Sequence, residues 1–270
     1  MTLSTCSSLA AVALLLPACA SIAPSDGSTP ITPQSPRAAV LVGPVLGLNR
    51  NFHSGGFRTI SSDATCPYFE EGTGWGMLGG VTAEMMLTEH SALIPRLTYE
   101  SRPGSFTSAL PDALVQMPGQ DGPVNQSITA RSDVTYGLLG VELLYKHEIG
   151  TLGAMRLALS GGPAVAYVVG GTNRQVEELI EPANARFLGR DGYVIEDGGR
   201  RLVFYDGEIV ARRSVRYSLK AGMQAEVGLF GDSWYMTPGL YYDFGLSDVT
   251  RVENWQLSSL VFMVDFRRGF

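Results

Sequence analysis

From Ala38 onward, apolar residues fall at every second position, with Gly, Ser, Thr or charged residues between them. A period of two marks β-strands whose two faces meet different surroundings. The cleanest case sets Val215, Tyr217, Leu219, Ala221, Met223, Ala225, Val227 and Leu229 against Ser214, Arg216, Ser218, Lys220, Gly222, Gln224 and Glu226. The pattern predicts eight such strands. The first has Val40, Val42, Pro44, Leu46 and Leu48 against Gly43, Gly47 and Asn49, and the last has Leu260, Phe262, Val264 and Phe266 against Ser259, Asp265 and Arg267. The others cover 75–87, 93–99, 139–145, 155–169 and 234–244.

The connections alternate in length. Short turns are predicted at 88–90, 149–151 and 231–232, long loops at 51–73, 102–132 and 171–213, and an intermediate one at 247–253. Short turns at one end and long loops at the other are the habit of outer-membrane barrels. The expected fold class is therefore all-β, an eight-stranded antiparallel transmembrane β-barrel over 38–270 with long extracellular loops and both chain ends in the periplasm. Within the longest loop, residues 192–210 hold two β-rich runs around Asp197-Gly198-Gly199, which predicts a projecting external hairpin.

A soluble barrel shares this period with its apolar face turned inward, so the face has to be decided separately. The non-apolar face carries Glu84, Glu100, Glu142, Glu226, Asp243 and Asp265 beside Arg96, Lys146, Arg156, Arg216, Lys220 and Arg267. Six charges of each sign among small residues suit a narrow lumen, where buried charges must pair. With a turn near Asp232, Lys220 and Asp243 are expected opposite each other. On the apolar face the aromatics sort to the strand ends. Trp75, Tyr99, Tyr167, Tyr217 and Tyr242 lie toward the long loops, and Tyr145, Trp234 and Phe266 toward the turns. Two aromatic girdles are the expectation for a bilayer with two interfaces. Phe270 ends the last strand as outer-membrane assembly signals do. Pro44, Pro95, Pro163 and Pro238 interrupt this picture, since each removes a ladder donor, and a bulge or local break is expected at each.

The first residues add an address. Leu9 to Leu16 is an apolar run too short to span a bilayer as a helix, and Ala18-Cys19-Ala20 offers small residues for cleavage. Residues 1–20 are predicted to be a signal peptide, and the Pro- and Ser-rich 21–37 a flexible periplasmic tether. Leu16-Pro17-Ala18-Cys19 also resembles a lipobox, which would lipidate Cys19. Cleavage after Ala20 leaves Cys66 as the one cysteine of the mature chain, so no internal disulfide forms. A net charge of −6 gives no reason to expect nucleic acid as a partner.

Candidate chemistry is sparse. His90 and His147 fall at turns, and His53 precedes Ser54, the one nucleophile–base pairing in reach along the chain. Neighbours on an extended strand point to opposite sides, which disfavours that dyad. No HExxH, phosphate loop or CxxC occurs, so no metal or cofactor is expected and the chain is read as a non-enzyme. Arg200, Arg201, Arg212 and Arg213 could hold lipopolysaccharide phosphates, although Glu196, Asp197, Asp206 and Glu208 stand among them.

The stretch TYGLLGVELLYKHEIGTLGAMRLALSGGPAVAYVVGG, with RYSLKAGMQAEVGL, YMTPGLYYDFGL and the final strand, resembles the PorT-like outer-membrane β-barrel family, small barrels of the OmpA/OmpX kind. The resemblance implies an accessory part in protein secretion across the outer membrane, with secretion-system proteins as partners. The residues themselves point to outer-membrane lipids and the assembly machinery as partners. The structural or partner-binding role is assigned to the external loops, ahead of a lipid-modifying enzyme or a small pore.

Overall fold

The computed structural model describes residues 38–58, 68–110, 113–116, 123–187, 193–229 and 233–270. The signal peptide, the tether, Cys19, Cys66 and the turn at 231–232 lie outside the described residues. Twelve strands follow in order: β1 Val40–Arg58, β2 Tyr68–Thr88, β3 Ser91–Ser101, β4 Gly104–Ala109, β5 Ala113–Gln116, β6 Pro123–Leu152, β7 Met155–Glu181, β8 Val194–Glu196, β9 Arg201–Glu208, β10 Val215–Gly228, β11 Trp234–Gly245 and β12 Asn254–Gly269. Antiparallel pairing runs β1, β2, β3, β6, β7, β10, β11, β12 and back to β1, an eight-stranded closed ring. β4 continues the stave of β3 after a break at Arg102 and Pro103, again between β2 and β6. The fold is the transmembrane β-barrel that the alternation predicts.

Alternation dictates which face is which. Val141, Leu219, Met223, Leu240 and Phe262 point outward and are exposed, whereas Glu142, Lys220, Gln224, Tyr241 and Met263 on the same strands are buried. The outer wall is thus apolar and the inner wall carries the charge. All eight aromatics expected at the strand ends face outward. Tyr99, Leu139 and Tyr167 share one row across β3, β6 and β7, and Leu93 with Tyr145 shares another. From Leu139 to Tyr145 is about 20 Å along the strand.

Three expectations need correction. The strands run well past the aromatic rows, so the loops at 51–73 and 102–132 are largely strand: β1 reaches Arg58, β2 starts at Tyr68, and β4 to β6 occupy much of the second. Inward positions there continue the alternation as Asn51, His53, Phe69, Phe106, Ser132 and Val134, which gives these extensions a buried face. The turn expected at 149–151 comes three residues later, because Gly153 supplies the left-handed backbone (φ +60) and Gly150 is absorbed in a bulge. The inner wall is also less polar than its alternation suggests: Val45, Leu78, Ile94, Leu144, Tyr241, Val261 and Met263 form an apolar cluster inside the barrel.

The prolines behave alike. Pro44 stays opposite Val81 while pairing with β12 lapses between Val42 and Val45, and Pro95 stays opposite Leu143 while pairing with β2 lapses. Pro163 stays opposite Leu219 and Pro238 opposite Val264, each with a gap on its other side. Register is the same before and after every gap. Each site is a local break and none is a bulge, because a proline with an outward ring forfeits one ladder donor and leaves the rest of the strand in step. The predicted hairpin is present as β8 and β9 joined by a 3-10 turn at Asp197–Gly199.

The wall itself is testable. Val141→Arg, between the aromatic rows, is expected to lower unfolding free energy by about 2–4 kcal/mol. Urea titration of barrel folded into lipid vesicles measures it; a change within about 0.5 kcal/mol would mean that Val141 faces water.

Candidate functional site

The interior is where the sequence spends its charge. The ring brings inward positions of different strands to one level, and their side chains link into one chain of alternating sign. From the external end it runs Arg216 to Asp243 (3.0 Å), Asp243 to Arg102, Arg102 to Glu100, and Glu100 to Lys220 (3.5 Å). It continues from Lys220 to Glu142, Glu142 to Arg96 (3.6 Å) and Arg96 to Asp265 (3.0 Å). The remaining links are Asp265 to Arg267, Arg267 to Glu84, Glu84 to Lys146 (2.8 Å) and Lys146 to Glu226 (3.1 Å). All twelve members are buried. Six positive and six negative charges cancel, which is the condition under which ions can leave water.

Of the expected lumen residues, the chain includes Glu84, Arg96, Glu142, Lys220, Glu226 and Asp243 and leaves out Arg156. Arg156 is only half-buried, next to the short β6–β7 turn where solvent reaches it. Its place is taken by Arg102, at the start of the loop expected at 102–132. Its even number continues the inward run Arg96, Thr98, Glu100, and that parity was the available signal. Lys220 and Asp243 are register partners as expected, yet they do not pair. Lys220 reaches over β7 to Glu142 on β6, and Asp243 is held by Arg102 and Arg216.

Neutral groups fill the gaps between the ions. The Tyr241 hydroxyl donates to Gln224 Oε1 (2.7 Å) and accepts from Arg96 (3.2 Å), whose guanidinium lies 5.0 Å from the ring centre. A cavity of about 10 Å³ lined by Glu100, Arg102, Glu142, Arg216 and Asp243 has room for a single water.

Above the ions an aromatic cluster caps the external end. Phe106 sits edge-on to Phe69 (6.2 Å), Trp255 (5.7 Å) and His53 (5.4 Å). The Trp255 indole N–H donates to His53 Nδ1 (3.1 Å), which places the imidazole proton on Nε2, 3.3 Å from the Pro103 carbonyl. Asn51 Nδ2 donates to the same carbonyl (3.2 Å). The break in the β3–β4 stave thus turns one carbonyl toward two inward side chains. Gly104 beside it is required by space, since a Cβ there would lie 2.4 Å from the His53 ring. His53 is buried with both nitrogens engaged, and Ser54 is exposed on the other face, so the two do not form a dyad.

Beyond the cap, β6 and β7 continue as a pair from Tyr136 and Gly171 out to Ser127 and Glu181, with β9 and β8 added at the edge of β7. Three of the four arginines that are candidates for phosphate binding, Arg200, Arg201 and Arg212, are separated here. Arg200 donates to the carbonyls of Leu179, Ile180, Pro182 and Ala183, and Arg201 pairs with Glu178 (3.5 Å). Arg174 holds Glu196 (2.6 Å) and Asp206 (3.6 Å). Arg212 lies over Gly171. Burial pushes the Glu177 carboxyl on this sheet above the ordinary glutamate value of 4.5.

No family model matches the chain, and no curated protein matches it. Among solved structures it is similar to Ail, the attachment invasion locus protein of Yersinia pestis, at 6% identity and TM-score 0.32, covering 86% of this chain and 99% of that one. It is similar to Neisserial surface protein A at 10% identity and TM-score 0.30, covering 85% and 99%. The outer membrane protease OmpT from Escherichia coli is similar at 8% identity and TM-score 0.36, covering 86% and 96%.

Arg96→Leu removes one of the two cationic partners of both Glu142 and Asp265, leaves the buried chain with a net negative charge, and is expected to cost about 3–5 kcal/mol in urea titrations. Arg156→Leu should stay within about 0.5 kcal/mol. For Glu177, the folded pKa lies above the unfolded one, so its stability contribution is full below the ordinary value and is lost as pH rises toward the folded value. Glu177→Gln should therefore slow amide exchange in the β6–β7 extension at neutral pH and leave it unchanged at pH values below the ordinary glutamate range.

Proposed function

We propose that this chain is a non-enzymatic outer-membrane barrel that acts through its external sheet and rim, and that its lumen charges are structural. The observation that carries this reading is the filled interior. A continuous neutral chain of ions, an apolar cluster and an aromatic cap occupy the space through which a solute would pass. The predicted export signal and the apolar outer wall between two aromatic rows support the outer membrane as its location, with outer-membrane lipids and the assembly machinery as its first partners. The opposite orientation of His53 and Ser54 speaks against lipid-modifying chemistry at that pair.

The accessory secretion role implied by the PorT-like resemblance would be exercised through the same external surfaces, because a filled lumen offers no route for a polypeptide. In planar bilayers the purified protein is expected to give no stable channels, and steady large conductances would overturn the filled-lumen reading. Fractionation of cells with heat-modifiable gel mobility checks the location; a soluble, non-modifiable protein would refute it.

A further inference from the structure

The external connections 209–214 and 246–253 lie side by side. Arg212 bridges Thr250, the Arg213 amide donates to the Val249 carbonyl (2.9 Å), and the Arg251 amide donates to the Ala211 carbonyl (3.0 Å). This pairing puts Arg213 and Arg251, far apart in sequence and both exposed, on one small ledge. The Arg213 Nε donates to the Thr250 carbonyl (3.0 Å), which anchors the guanidinium against the residue preceding Arg251, and its two terminal nitrogens have no partner among the described residues. Neither arginine is in an ion pair among the described residues, although Asp248 and Glu253 stand on the same connection.

The height of the ledge matters. Tyr217 and Val215 point outward on β10, which begins at Val215, and the exposed Arg213 lies in the connection two residues before it. Leu246 closes the matching column of β11 above Phe244, its amide bonded to the Tyr217 carbonyl (2.9 Å). Leu246 is 67% exposed and Val252 is 72% exposed. The two arginines therefore stand on the connections just beyond Val215 and Leu246, outward apolar positions of the wall. Guanidinium is the side chain best matched to a phosphate, which it can grip by two parallel hydrogen bonds.

The geometry points to a site at Arg213 and Arg251 for the phosphate of an outer-leaflet glycolipid, whose acyl chains lie on Leu246, Phe244 and Tyr217. The inference rests on the outer-membrane reading above, since only there does the ledge meet such a headgroup.

The test uses the full barrel, purified and folded in detergent, offered bis-phosphorylated lipid A and read by native mass spectrometry. Wild type is expected to retain the lipid, and the double variant Arg213→Ala with Arg251→Ala to bind about tenfold more weakly, the loss of charge-assisted bonds. Dephosphorylated lipid A should bind wild type no better than lipid A binds the variant. Undiminished binding by the variant, equal binding of the dephosphorylated lipid, or full displacement by inorganic phosphate would each overturn the site. Should the arginine variant fail to fold, Leu246→Asn with Val252→Asn keeps the paired backbone and the charges; unchanged retention by that variant also overturns it. Binding is measured on isolated protein, so a negative result leaves the fractionation experiment standing, and a soluble protein in cells would sink the location without altering the binding.

Discussion

In a hydrocarbon layer an unpaired peptide group has no water to turn to, and a sheet that ends in an open edge leaves a row of them. Joining β1 to β12 removes that edge, and the rest of the molecule is arranged around the closure. A ring of eight strands is narrow, so every second side chain must fit inside it. Charges placed there cannot be solvated and must neutralise one another. The alternating ion chain is thus the consequence of a small circumference, and its cancelling signs allow the inner wall to carry charge at all.

The same narrowness explains the layering. Ions alone would leave voids between their hydrogen-bonding planes, and Leu144, Ile94, Val45 and Met263 fill these with side chains of fixed shape. Toward the outside, where the strands leave the bilayer, the inward positions turn to aromatics. His53 serves there as a neutral bridge between the Trp255 indole and a carbonyl freed by the break at Pro103. External β6, β7, β8 and β9 then form a surface whose arginines mostly satisfy the sheet itself.

Much of this was legible in the alternation, because period two reports directly which residues share a face. The eight staves and the outward orientation of the strand aromatics follow from that rule, and the 197–199 turn from its Asp-Gly-Gly sequence. What escaped it has specific causes. Arg102 precedes a proline and was read as loop, although its parity placed it inward. Arg156 has the right parity but lies at a rim, and parity says nothing of depth. Lys220 and Asp243 are aligned by register, yet their side chains are long enough to choose partners on other strands. The extensions of β1, β2, β6 and β7 were hidden by the expectation that strands end where the membrane does. The ledge at Arg213 and Arg251 depends on two loops meeting, which no single segment encodes.

Most links of the ion chain do not join neighbours in the sheet. Glu84 on β2 meets Arg267 beyond β1 and Lys146 beyond β3, Lys146 meets Glu226 beyond β7, and Arg96 on β3 meets Asp265 across the barrel on β12. A partly assembled sheet therefore carries carboxylates and guanidiniums whose counterions have not yet arrived, facing an interior that does not yet exist. The electrostatics reward only the finished cylinder, so the seam between first and last strands acts as a latch: until it shuts, the protein's own charges resist entry into lipid.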